Sequence, residues 1–186
     1  RATLGVDTVI VCLMSGNFVQ RGMPAVFDKS LRAQAAIDCG ADLVLELPTV
    51  YALSSAEGFA AGGVAILGSF CDYLCFGSES GDAASLMHAA GILLSQEFPP
   101  LLRSKLNEGI SFPAARQAAL EALGADPELV LRPNNILAVE YCKAILSHNT
   151  SMEPLPIHRG GSYHDELPDE ENPSAKLPRL FKRAVF

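Results

Sequence analysis

Short apolar runs alternate with helix-period segments along the first half of the chain. Asp7–Leu13 (DTVIVCL) is a β-branched apolar run, the pattern of a buried strand, preceded at Ala2–Gly5 by what reads as the last turn of a helix. A polar stretch, MSGNFVQRG from Met14 to Gly22, follows it. Asp28 is placed to cap a helix through Cys39 that Gly40 ends. Ala41–Leu47 (ADLVLEL) predicts a second strand, stopped by Pro48. Ser54, with Glu57 three residues on, has the spacing of a capping box opening a helix through Leu67. Asp72–Phe76 (DYLCF) predicts a third strand, closed by a turn at Gly77-Ser78-Glu79, and Asp82 caps a further helix through about Leu94.

The pattern then changes. Pro99–Glu108, Ser111–Leu123 and Asn134–Leu146 read as helices with no strand between them, and Pro113 marks the start of the second. Pro154–His158 (PLPIH) predicts another strand despite its prolines, and the Pro-rich stretch His164–Pro178 reads as a loop. Strand–helix alternation at this spacing predicts an α/β fold: a Rossmann-like parallel sheet with crossover helices, plus a helical insertion over about 99–147. Residues 1–166 are expected to form one incomplete nucleotide-binding domain, and 167–186 a loop and the start of a following element. Crossovers of one hand bring the loops that follow the strands to one sheet edge, where ligands bind.

Composition narrows the function classes. Of the 186 residues, 49% are apolar and 19% charged, so disorder is not expected. No stretch approaches the roughly 18 uninterrupted apolar residues of a membrane span, and a cytoplasmic location is expected. The formal charge of −7 argues against a self-sufficient nucleic-acid binder. The five cysteines, Cys12, Cys39, Cys71, Cys75 and Cys142, lack zinc-knuckle spacing and read as buried reduced thiols. The chain begins at Arg1, not Met, and ends at Phe186 just after a basic stretch, which reads as an internal piece of a longer protein.

Five segments carry candidate chemistry. In Ser15–Gly22, Ser15, Asn17 and Gln20 offer hydrogen bonds and Arg21 can pair a carboxylate or phosphate; a well-bonded surface loop is the competing reading. At Gly77-Ser78-Glu79 a glycine permits close ligand approach, and a nearby helix start would add N–H groups; a simple turn is the alternative. In Pro133-Asn134-Asn135, N-capping accounts for one asparagine and leaves the other for a base edge or ribose. Arg159 before Gly160-Gly161 suits an anion-binding bend, whereas His164 beside Asp165 reads as a surface pair. Ser174–Arg179 suits phosphate binding or a solvated basic face.

Taken together, MSGNFVQRG, GADLVLELP, DYLCFGSE, PNNILA with Glu140-Tyr141, and His164-Asp165-Glu166 closely resemble the tRNA(Met) cytidine acetate ligases, over nearly the whole chain. The resemblance implies a nucleotidyltransferase-like core using ATP, with Mg²⁺, to activate acetate as acetyl-adenylate. The acetyl group then passes to the wobble cytidine of elongator tRNA(Met), giving N4-acetylcytidine. It further implies that Gly77, Asn134 (Asn135 as alternate) and Arg159 contact ATP, and that Ser174–Arg179 corresponds to a phosphate-gripping motif, from which Lys176 and Pro178 depart. The His-x-Gly-His signature of such cores is absent and is expected upstream of Arg1. The chain alone is therefore expected to be inactive, with Arg21 and Asn17 as catalytic candidates and no protein metal site. The tRNA contacts are expected mostly beyond Phe186, with Lys176, Arg179, Lys182 and Arg183 as a rim. Two other readings are a nucleotidyltransferase for a small phosphorylated metabolite and a catalytically dead nucleotide- or tRNA-binding domain. Oligomeric state is not legible.

Overall fold

The computed structural model describes residues 2–20 and 22–159, which fall into two compact units divided between Ser55 and Ala56. The expected mixed architecture of parallel strands joined through helices is present in both.

The first unit is a strand–helix–strand arrangement. β1 (Val11–Ser15) pairs in parallel with β2 (Leu43–Leu47), Val11 opposite Leu43 and Ser15 opposite Leu47. β1 begins later than the apolar run suggests, because the ladder starts only where a partner exists. Just before it, the Ile10 N–H donates to Asp42 Oδ2 at 2.7 Å and the Ile10 carbonyl accepts from the Asp42 N–H at 2.8 Å. Between the strands runs α1 (Lys29–Asp38), whose first turn is capped as expected by Asp28, accepting from the Ser30 N–H at 2.8 Å. After β2 comes a one-turn helix, α2 (Thr49–Ala52), too short to show a periodic signal. Residues 2–4 form a turn where the end of a helix was expected.

The second unit is built around one long helix. Its order is α3 (Ala56–Leu67), β3 (Tyr73–Ser78), α4 (Ala83–Leu94), α5 (Phe98–Asn107), α6 (Phe112–Ala122), a 3₁₀ turn (Pro127–Val130), α7 (Pro133–His148) and β4 (Glu153–His158). The Ser54–Glu57 capping box does not form: α3 starts at Ala56, one residue too late, and the Glu57 carboxylate is taken by Lys143 at 2.8 Å. Asp82 does cap α4, accepting from the Ala84 N–H at 3.0 Å. β3 runs through Gly77 and Ser78, which are strand and not turn, because β4 lies parallel alongside and pairs them with Ile157 and His158.

The prolines of β4 fit a strand because they face away from β3. The ladder uses the N–H groups of Glu153 (to Asp72 O, 2.8 Å) and Arg159 (to Ser78 O, 2.9 Å). The N–H alternation of a strand then turns positions 154 and 156 to the other edge, where a missing donor costs nothing and discourages a further strand. On β3, Leu74, Phe76 and Ser78 are buried in alternation, and Phe76 stacks on Tyr141 of α7 with ring centroids 5.3 Å apart. The cysteines depart from expectation. All are free and Cys142 is buried, its thiol pushed up to about 12 by burial, but Cys39 and Cys75 are exposed. Cys75 falls on the face of β3 opposite the buried alternation.

A charged network crosses the core of this unit. Glu140 on α7 is 5% exposed; its Oε1 meets Arg116 Nη2 of α6 at 2.8 Å and its Oε2 lies 2.6 Å from Lys143 Nζ, which also reaches Glu57. Burial pulls the Lys143 pKa down, but the hydrogen bonds to Glu140 and Glu57 outweigh it and leave it raised. The same bond holds Glu57 below the usual carboxylate range. We expect Glu140→Ala to lower stability by about 3 kcal/mol, the lower end for a broken buried pair, since Arg116 loses its carboxylate partner while the part-exposed Lys143 keeps Glu57; urea denaturation measures this. Glu57 stabilises above the ordinary glutamate range and loses that contribution as pH falls through its depressed value. Lys143 stabilises below the ordinary lysine range and loses its contribution as pH rises through its raised value. Lys143→Met should therefore flatten both flanks of the stability–pH curve.

Candidate functional site

The C-terminal ends of β3 and β4 bring three of the sequence candidates together with the start of α7. Ser78, fully buried, is the hub. Its Oγ donates to Asn135 Oδ1 at 2.8 Å and accepts the N–H groups of Ser80 (3.2 Å) and Gly81 (3.1 Å). Asn135 Oδ1 also accepts the Ser80 N–H at 3.0 Å, and Asn135 is only 3% exposed. Gly81 has φ +65, a left-handed conformation that lets the chain turn back towards α4, and a Cβ there would stand 3.0 Å from His158 Cβ.

Glu79 performs the capping that the sequence suggested for an asparagine. α7 starts with Pro133 and its N-cap position, Arg132, gives no side-chain bond. Pro133 has no N–H to satisfy. The next two donors go to one carboxylate: Asn134 N–H to Glu79 Oε1 at 3.2 Å and Asn135 N–H to Oε2 at 2.7 Å. Asn134 Nδ2 adds a third bond to Oε1 at 2.8 Å. The helix start expected near Gly77-Ser78-Glu79 is thus present, but its free N–H groups are occupied from within the chain.

Both amide orientations follow from chemistry. A carboxylate only accepts, so Asn134 must turn its NH₂ to Glu79; a peptide N–H only donates, so Asn135 must turn its oxygen to Ser80. Asn134 Oδ1 consequently has no partner among the described residues. Arg159, half-buried, lies across Gly77: a Cβ on Gly77 would sit 2.5 Å from Arg159 Cδ. The absence of a side chain on the glycine leaves room for the arginine stem. No acceptor for its guanidinium lies among the described residues.

The other candidates lie in the first unit or outside the described residues. Ser15 (buried), Asn17 (exposed) and Gln20 lie in the first unit. There the Val19 N–H donates to Met23 O at 2.9 Å and the Ala25 N–H to Asn17 O at 2.8 Å. Arg32 ties the loop down by donating from Nη2 to Gly16 O and from Nε to Phe27 O at 3.1 Å. Arg21, His164, Asp165, Ser174, Lys176, Pro178, Arg179, Lys182 and Arg183 lie outside the described residues. A shallow hollow of about 420 Å³ on the second unit, lined by Met87, His88, Gly91 and Leu146 among others, shares no residue with the cluster and offers few polar groups. Sequence reasoning missed the parts played by Ser78, Glu79 and Ser80; the string GSES showed the residue types but not their distant partners.

Comparison with known proteins fits this geometry. The family model described as HIGH Nucleotidyl Transferase matches residues 2–180. The chain belongs to the HIGH nucleotidyl transferase family. Among curated members, it is 45% identical to the tRNA(Met) cytidine acetate ligase of Clostridium novyi (strain NT), over 91% of this chain and 45% of that protein. It is 43% identical to the protein of the same name from Clostridium acetobutylicum, over 86% and 43%. Among solved structures it resembles Thermotoga maritima TmcAL bound with alpha-thio ATP, at TM-score 0.75 and 40% identity over 85% of this chain and 41% of that one. The apo form of that protein matches at TM-score 0.78 and 39% identity, over 90% and 42%. The chain therefore spans less than half the length of the relatives it matches.

For this HIGH nucleotidyl transferase, Gly77→Ala should displace the Arg159 side chain while leaving the strand intact. Melting should fall by no more than roughly 2–4 °C, equivalent to about 1 kcal/mol, whereas the ¹⁵N–¹H resonance of Arg159 Nε should shift clearly.

Proposed function

We propose that this chain is the nucleotide-handling part of an ATP-dependent tRNA(Met) cytidine acetate ligase. The observation that carries the reading is the convergence of Gly77, Asn134 and Arg159 at the C-terminal ends of two paired parallel strands. In α/β folds ligands bind outside that edge. The relatives' shared name and the alpha-thio ATP of the Thermotoga structure supply the substrate class.

In this reading an acetate oxygen attacks the α-phosphorus of ATP. The bond from that phosphorus to the bridging oxygen breaks and pyrophosphate leaves, giving acetyl-adenylate. The exocyclic amine of the wobble cytidine in elongator tRNA(Met) then attacks the acetyl carbonyl carbon, AMP departs and the amine loses a proton, leaving N4-acetylcytidine. Catalysis of the first step is positioning plus charge neutralisation. Arg159 supplies a planar cation suited to a phosphate or carboxylate, and Asn134 supplies an acceptor for the nucleoside. Arg21 orients acetate or phosphate, with Asn17, Ser15 and Gln20 as neighbours on the same loop, while Ser174 and Arg179 add phosphate contacts. Lys176, Arg179, Lys182 and Arg183 form a basic rim towards tRNA, which an overall charge of −7 requires to be local.

Among the described residues no group of three or more His, Cys, Asp and Glu side chains is placed to hold a metal. Mg²⁺ enters this reading as the counter-ion carried by the nucleotide phosphates. No helix among the described residues is long and apolar enough to cross a membrane, and we place the reaction in the cytoplasm.

The test has two arms. Calorimetry should show ATP binding to the chain, weakened roughly 10–100-fold by Arg159→Ala, the range of a lost charged hydrogen bond. A protein of the relatives' length carrying this sequence should release pyrophosphate from ATP in an acetate-dependent manner. Release driven instead by a phosphorylated small molecule would replace the ligase reading with that of a metabolite nucleotidyltransferase.

A further inference from the structure

We infer that Glu79 is a specificity-determining positioning residue, which fixes Asn134 so that the nucleotide site selects ligands bearing a hydrogen-bond donor opposite Asn134 Oδ1. The inference rests on the ATP-binding reading above and adds to it a residue that contacts no substrate itself.

Both oxygens of Glu79 are engaged, Oε1 by the Asn134 N–H and Nδ2 and Oε2 by the Asn135 N–H. The Asn134 side chain is thereby held at its NH₂ end by an acceptor that cannot become a donor while ionised, which forbids the flipped amide. A free asparagine offers a ligand either its oxygen or its NH₂; this one offers only the oxygen. Asn135 cannot take over the role, because it is 3% exposed and its oxygen is bonded to Ser78 Oγ and the Ser80 N–H. Glu79 also removes the α7 N-terminus as an anion site, since Pro133 has no N–H and the two following N–H groups are filled. A nucleotide therefore meets α7 through one fixed acceptor. A base amine and a ribose hydroxyl are the nucleotide groups with a donor for it.

The experiment compares ATP, ITP, 2′-deoxy-ATP and 3′-deoxy-ATP by calorimetry on the unaltered chain, Glu79→Gln and the double variant Glu79→Gln/Asn134→Asp. All are measured at a temperature where circular dichroism shows each variant folded. The unaltered chain should bind one analogue lacking a donor at least tenfold more weakly than ATP; ITP reports the base amine, the deoxy forms a hydroxyl. Glu79→Gln, whose NH₂ can bond Asn134 Oδ1 and release the flip, should shrink that ratio to about twofold or less. The double variant restores a one-way pair, the introduced amide at position 79 donating to the introduced carboxylate at position 134. It should recover the preference for the donor-bearing nucleotide. If Glu79→Gln lowers the melting temperature but leaves the ratio unchanged, Glu79 is only a helix cap and the inference is wrong. Equal affinity of the unaltered chain for all four nucleotides also overturns it, while leaving ATP binding intact. Absence of any ATP binding to the unaltered chain removes the nucleotide reading itself, and this inference with it.

Discussion

The Glu79 carboxylate joins the end of β3 to the beginning of α7, and the polar end of the second unit is organised around that join. A helix that starts with proline still has backbone donors to satisfy in its first turn, and burying them unpaired costs more than a typical hydrogen bond returns. Here the acceptor is a negative charge, so the bonds are charge-assisted and also favoured by the helix dipole. Because both oxygens are used, the carboxylate fixes the direction as well as the position of α7's first turn. Ser78 makes a second connection one residue earlier, through Asn135. With the helix start pinned to the strand end twice, Asn135 points inward, Asn134 is held at the rim, and β4, in register with β3, delivers Arg159 across Gly77.

Further along, α7 is held by a different kind of contact. Ala138, Val139, Cys142 and Ile145 are buried on it, yet Glu140 is buried among them, with Arg116 and Lys143 as partners. A buried ion pair is weak evidence for net stability, since desolvation offsets much of its attraction. What it does well is penalise a slipped arrangement, in which a charge would lose its partner. An apolar helix surface rich in alanine slides with little penalty; a buried carboxylate between two cations does not. The network therefore complements the clamp at the helix start, one setting the first turn and the other the packing against α3 and α6.

Much of the local structure was legible because it is decided by neighbours in sequence. Asp28 and Asp82 cap helices whose first N–H groups are two residues away, and the PLPIH strand survives its prolines because strand alternation sends their missing donors to one side. What failed was decided at long range. The Ser54–Glu57 spacing matched a capping box, but Glu57 found a cation on α7, 86 residues on. Gly77 and Ser78 looked like a turn until β4, distant in sequence, extended the ladder to them. Exposure of Cys39 and Cys75 was equally hidden, since an apolar run does not say which of its faces is covered. The adjacent asparagines stood out in the sequence at a helix start, but their capping partner lay 55 residues upstream. The family resemblance named Gly77, Asn134 and Arg159 without any of this geometry, because a long ordered string carries the outcome of packing without revealing its cause.

On the ATP-binding reading proposed above, the cluster also accounts for how an acidic chain would present an anion site. A helix N-terminus beside a glycine-containing strand end would ordinarily attract phosphate through free N–H groups. Here a carboxylate occupies those groups, so attraction for negative charge falls to Arg159, whose stem is seated on Gly77. Placing Glu79 against backbone donors neutralises part of its charge locally, which limits its repulsion of an incoming anion. Among the described residues, the polar groups with no internal bond include the Asn134 oxygen, an acceptor, and the Arg159 guanidinium, a cation. The proposed nucleotide suits that remainder, since it carries donors on base and ribose and negative charge on its phosphates, at opposite ends of one molecule.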